Sequence, residues 1–97
     1  MSKVFQFNYK TIKDLASAGS WRRGYEYYQK DMVMNAEPVK NFYKAKVKGN
    51  YQDAYTTDLI FKKNTVEARC NCPLKEEWCK HSVAVALKAI NDHAYED

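Results

Sequence analysis

Cys70, Cys72, Cys79 and His81 fall within twelve residues, spaced C-x-C-x6-C-x-H, and include every cysteine of the chain. Thiolate sulfur and imidazole nitrogen are the donors that Zn²⁺ takes, and four of them close a tetrahedral shell. Donor softness puts zinc ahead of other metals. A closed shell leaves no position for water or substrate, so the expected role is structural rather than catalytic. A disulfide framework is a poor alternative, because the cysteine count is odd and a Cys70–Cys72 bridge would close a strained ring. The C-x-x-C spacing of a redox pair is absent. His93 lies twelve residues beyond His81, about 18 Å along a continuing helix. It is therefore expected to be an exposed helix-end residue and not a ligand.

Positioning such ligands takes a strand end, a loop and a helix start, and the hydrophobic pattern supplies all three. Tyr43, Ala45 and Val47 alternate with Lys44, Lys46 and Lys48 within a strand over 41–48. Tyr55, Thr57, Leu59 and Phe61 mark the facing strand. A two-residue Gly49-Asn50 turn would set apolar residues against polar ones, so a longer loop over 49–53 is expected. That register sets Val47 against Tyr55, Tyr43 against Leu59 and Lys44 against Asp58. A tight Lys63-Asn64 turn then pairs Phe61 with Val66 and Leu59 with Ala68. The strand so formed runs into Cys70, followed by a Pro73 loop. Cys79 and His81 open a last helix over about 79–91, with Val83, Ala86, Leu87 and Ile90 as its apolar stripe and a fraying polar tail.

Upstream, residues 1–10 alternate weakly, as a short extended arm does. Thr11 and Asp14 mark a helix start before Ile12, Leu15 and Ala16, and Ala18-Gly19 is expected to end that helix. Ser20 is expected to cap a second helix to about Lys30, with Trp21, Tyr25 and Tyr28 along one face. Gly24 inside it costs up to about 1 kcal/mol relative to alanine, so another element is expected to pack closely there. Met32 to Ala36 reads as a short strand ended by Pro38. The fold class expected is α+β. N-terminal helices over about 11–30 pack on a three- or four-stranded antiparallel sheet over about 32–70, followed by a zinc-clamped C-terminal helix.

The 70–81 motif resembles the SWIM zinc finger, whose signature is C-x-C-x(n)-C-x-H. Arg23-Gly24-Tyr25-Glu26-Tyr27-Tyr28 is similar to the RG-x-x-Y-Y segment that precedes the finger in bacterial and archaeal members. Ala45 to Gly49 with Tyr55 to Leu59 resembles their central hairpin, so the likeness runs over about 11–91. The resemblance implies one structural zinc and a role in binding DNA or other proteins. It also implies company of the kind seen with Swi/Snf-type ATPases, mutator-type transposases and recombination accessory proteins.

At 97 residues the chain is read as one domain, 1–97, of a size at which a metal makes up for a small core. No apolar run is long enough for a bilayer and no signal peptide is visible, so a membrane role is not expected. Free thiols point to a reducing compartment, the cytoplasm or a nucleoid. No phosphate-binding glycine loop and no nucleophile–base pair appear, so no enzyme is expected. The net charge of +4 permits a nucleic-acid partner, DNA rather than RNA, without demanding one. The candidate contacts are Lys44, Lys46 and Lys48, with Lys62 and Lys63 as an extension of that group, then Arg22 and Arg23, and Lys75 and Lys80 beside the metal motif. Arg69, Lys75 and Lys80 are alternatively placed to offset the anionic zinc–thiolate centre. Trp78 is read as an exposed aromatic anchor, or else a cap over the zinc. The alternative to nucleic-acid binding is a protein-interaction module that docks an ATPase or a recombination factor.

Overall fold

A computed structural model of the chain describes residues 8–39, 42–48, 54–62, 65–72 and 77–91. The elements are α1 (Tyr9–Leu15), α2 (Ala18–Gln29), β1 (Val33–Val39), β2 (Phe42–Val47), β3 (Tyr55–Phe61), β4 (Val66–Cys70) and α3 (Lys80–Asn91). The four strands form one antiparallel sheet in the order β1-β2-β3-β4. The expected α+β architecture is what the chain adopts.

Both N-terminal helices start three residues earlier than their sequence signals suggest. Asn8 caps α1, its Oδ1 accepting from the Thr11 N–H at 3.0 Å and from the Thr11 hydroxyl at 3.1 Å. Ser17 caps α2, its Oγ accepting from the Ser20 N–H at 3.2 Å. Thr11 and Ser20 thus occupy the third helical position, where the orphan N–H groups need an acceptor. Ala18-Gly19, expected to end the first helix, opens the second instead.

β1 also departs from expectation. Asn35 takes a left-handed backbone (φ 53°), and the pairing slips between Met34 and Glu37. Two residues, Asn35 and Ala36, therefore face Ala45 alone, which is a β-bulge. Pro38 does not end the strand but pairs with Tyr43. Its missing N–H is tolerated because β1 is an edge strand.

The remaining registers agree with the alternation argument. Val47 faces Tyr55, Tyr43 faces Leu59 and Lys44 faces Asp58; Leu59 faces Ala68 and Phe61 faces Val66. Tyr43, Ala45, Val47, Thr57, Leu59, Val66 and Ala68 point inward and are buried. The turns expected at 49–53 and 63–64, the Pro73 loop, Lys63, Lys75 and His93 lie outside the described residues.

α3 lies on this inner face, touching all four strands, and α2 lies across α3. The close approach at Gly24 is real. A Cβ there would sit 2.5 Å from Val83 Cβ and Cγ1 and 2.8 Å from the Lys80 carbonyl oxygen. With the sheet below and α2 above, α3 is buried all round, from His81 to Leu87 and again at Ala89. The four-residue stripe expected for it understates this, because periodicity on one helix does not show that a second layer will cover its back. Trp78 likewise is not exposed but packs in the main core, at 5% exposure. Among the described residues no helix lies on the sheet's outer face, and Phe42, Lys44, Lys46, Thr56 and Arg69 are exposed there. Among the described residues no helix is long and apolar enough to cross a membrane.

Candidate metal centre

Cys70 is the last residue of β4, and Cys72 follows two residues on. Side chains alternate along an extended chain, so the C-x-C spacing turns both sulfurs to one side. Asn71, between them, turns to β3: its N–H donates to the Thr56 carbonyl at 3.2 Å and its Oδ1 accepts from the Thr56 N–H at 2.9 Å. That exchange holds the strand end in place. Cys79 sits immediately before α3, its carbonyl accepting the first helical bond from Val83 N–H at 3.0 Å. His81 then stands in the first turn.

These four are the only group of three or more His, Cys, Asp or Glu side chains placed to hold a metal among the described residues. Their donor atoms all lie within 4.8 Å of one another. Cys70 Sγ is 3.7 Å from His81 Nδ1, Cys79 Sγ is 3.7 Å from His81 Nδ1, and Cys72 Sγ is 3.7 Å from Cys79 Sγ. A tetrahedron with Zn–S of about 2.3 Å and Zn–N of about 2.0 Å has edges of roughly 3.5–3.8 Å. The cluster therefore fits one zinc ion, bound through Nδ1 of the histidine. Cys72, Cys79 and His81 are buried while Cys70 is half-exposed, so the ion is held in the wall of the core as a structural clamp.

Four residues that the spacing did not single out complete the site. The Thr57 hydroxyl donates to Cys70 Sγ at 3.3 Å, and Ser82 Oγ lies 3.5 Å from Cys79 Sγ. Tyr55 stacks on the His81 ring at 4.6 Å with a 34° tilt, and Tyr27 meets it edge-on at 5.5 Å. The two rings fix the imidazole plane, which is how a neighbouring group orients a metal ligand. A signal for Thr57 was present, because the expected β3–β4 register, continued by one pair, sets it directly opposite Cys70. Tyr27 and Tyr55 were visible only as members of the two upstream segments.

Charge compensation is organised differently from expectation. The Lys80 ammonium sits over the Tyr27 ring at 5.3 Å, and Arg69 lies exposed on the outer sheet face opposite Asp58. Cys70 Sγ receives the Thr57 hydroxyl, while the Ser82 hydroxyl beside Cys79 Sγ donates to the Glu77 carbonyl at 3.3 Å. The thiols also act on one another. The hydrogen bond from Cys70 pulls Cys79 down to about 3, assisted by His81 and by Ser82 at the helix start. The same contact, with burial, pushes the Cys70 thiol up. A divalent cation displaces the proton kept on Cys70, so zinc uptake releases protons.

Zinc affinity should rise with pH and fall on acidification, by about a decade per pH unit for each proton displaced. Chelator competition across pH 5.5–8 reads this directly, and a flat profile would mean the thiols are ionised beforehand. Thr57→Val keeps the volume but removes the hydroxyl on Cys70. It should weaken zinc about tenfold, at the lower end for an outer-shell partner, with the fold retained; an unchanged affinity would show that the Thr57 bond is idle.

The SWIM zinc finger family model matches residues 55–90, from the first residue of β3 into the last turn of α3. The match contains all four ligands, Tyr55 and Thr57; the resembling segments before residue 55 lie outside it. No curated protein and no solved structure matches the chain.

Proposed function

Residues 55–90 are a SWIM zinc finger with a single structural zinc, and on that footing we propose that the protein is a nucleic-acid-binding module. It takes DNA rather than RNA and serves as an accessory to a DNA-handling machine, with no catalytic step of its own, in the reducing interior of the cell. The observation that carries this reading is the outer face of the sheet. Lys44, Lys46 and Lys48 are all exposed along β2 and its end, on the side that no helix covers among the described residues. The zinc clamp and α3 hold that sheet rigid from behind, which suits backbone contacts made by charged side chains.

The layering narrows the contact surface. Arg22 and Arg23 are exposed on α2, which lies beyond α3 from the sheet. They face away from the lysine strand, so one nucleic-acid strand does not meet both groups. We therefore assign the contact to the lysines and leave the two arginines as a solvated helix face.

Labelled DNA titrated with zinc-loaded protein across a salt series tests the proposal. Affinity should fall as salt rises. In a Lys44→Glu/Lys46→Glu/Lys48→Glu variant the log–log slope should shrink by about two for single strands, at roughly 0.7 per phosphate contact. Absence of binding even at low salt would overturn the reading. A docking role for an ATPase or recombination protein would then take its place, favoured by the edge strand β1 and the exposed Tyr9 and Leu15 of α1.

A further inference from the structure

The outer face of the sheet carries more than lysine. Read across the strands, Phe42, Ile60 and Glu67 line up in one row, and Glu37, Lys44, Asp58 and Arg69 in the next. Met34, Lys46 and Thr56 form a third row. Phe42 is 41% exposed, among the few large apolar side chains left so far in water. It heads a line in which the next three outward residues of the strand are lysines, each step about 6.7 Å along the chain.

Acidic residues fall in two of the rows: Glu67 faces Ile60 in the Phe42 row, where the Lys62 ammonium pairs with it at 2.9 Å, and the others share the next row. Glu37 and Asp58 flank Lys44, and Asp58 also faces Arg69, so that row is close to neutral. Lys46 has Met34 and Thr56 beside it and no acid in its row. Among the described residues, the lysine with no acid in its row is therefore Lys46, with Lys48 one outward step beyond it, and one balanced row separates them from the Phe42 ring. An exposed ring and a positive track on one flat face match an unpaired base joined to its own phosphates. A duplex offers no such fit, because its bases are already stacked and paired.

Resting on the nucleic-acid reading above, we propose that the partner is single-stranded, running along β2 with a base stacked on Phe42 and its phosphates on Lys46 and Lys48. Phe42 is the specificity element in this arrangement, since it alone distinguishes a single strand from a duplex. The lysines serve both.

The test measures zinc-loaded wild type, Phe42→Ala, Phe42→Trp and Lys46→Glu/Lys48→Glu against labelled oligo-dT and a hairpin duplex. Because Phe42 is exposed, its substitutions should leave zinc content and the far-UV spectrum unchanged. Phe42→Ala should weaken oligo-dT about 5- to 150-fold, the worth of one stacked base, without altering the salt slope or duplex binding. Phe42→Trp should restore the affinity. The lysine pair should weaken both probes and flatten the salt slope. If Phe42→Ala binds oligo-dT as wild type does while the lysine variant fails, the base platform is wrong and the nucleic-acid module stands. Equal losses on oligo-dT and duplex in Phe42→Ala would also overturn the platform. If wild type binds neither probe at low salt, both readings fall together.

Discussion

Cys79→Ser is expected to release zinc and leave the protein without a cooperative fold. Cys79 is fully buried, and its sulfur lies 3.7 Å from both Cys72 Sγ and His81 Nδ1. Its backbone carbonyl also accepts the first bond of α3, which serine would keep, so the substitution removes the metal ligand while sparing the helix start. Structural zinc supplies about 10–16 kcal/mol of apparent binding energy in small fingers. A whole domain is stable by only about 5–15 kcal/mol. Removing one of four ligands takes away a large part of the first quantity, and little of the second remains. Metal content by mass spectrometry and thermal melts by circular dichroism decide the matter. A variant that melts at the wild-type temperature without metal would show that the core stands alone. His81→Cys makes an informative contrast. Four thiolates also close a zinc shell, so metal should stay bound, but with a lower melting temperature because Tyr55 and Tyr27 lose the ring they pack against.

Gly24→Ala should destabilise the fold strongly, against helix propensity. In an exposed helix the change would gain up to about 1 kcal/mol. Here the added methyl would meet Val83 Cβ and Cγ1 at 2.5 Å and the Lys80 carbonyl at 2.8 Å. Neither neighbour can swing aside, since one is a branched side chain at its root and the other is backbone. α2 and α3 must separate, at a cost of about 1–3 kcal/mol or more for overpacking. The melting temperature of a domain this size moves by about 4–8 °C per kcal/mol, so a drop of roughly 4–24 °C is expected. Gly19→Ala is the control: its methyl would come no closer than 3.8 Å to Arg23 Nη1, and the variant should be neutral or slightly stabilised. Equal melting temperatures for the two variants would show that the interhelix contact is looser than drawn.

The β2–β3–β4 registers were legible because a one-residue slip would turn every Tyr, Val and Leu outward. The zinc ligands were legible because donor type and spacing are a local property of the chain. The helix caps were misplaced by three residues, and Asn8/Thr11 and Ser17/Ser20 show why. Each pair sets two cap-forming residues at the spacing of acceptor and third helical position, and only geometry tells which is which. Pro38 looked terminal because its tolerance depends on β1 being an edge, a fact of topology. Trp78 was misread for the same reason, since a polar-flanked tryptophan shows nothing of the core it enters. Tyr27 and Tyr55 reach His81 from distant positions, and no local pattern reports such a meeting.

The all-round burial of α3 bears on how this finger can be handled as a piece. The segment 55–90 holds every ligand, both strands that lead into the site and the helix that leaves it. Cut out alone, it would bare the flank of α3 around Val83 on which α2 now rests, and it would lose Tyr27 beside His81. The ligand set is thus local while the folding unit is not. Excision, grafting or fusion should carry α2 along, because the metal can staple a helix to a sheet but cannot keep the helix's other side dry.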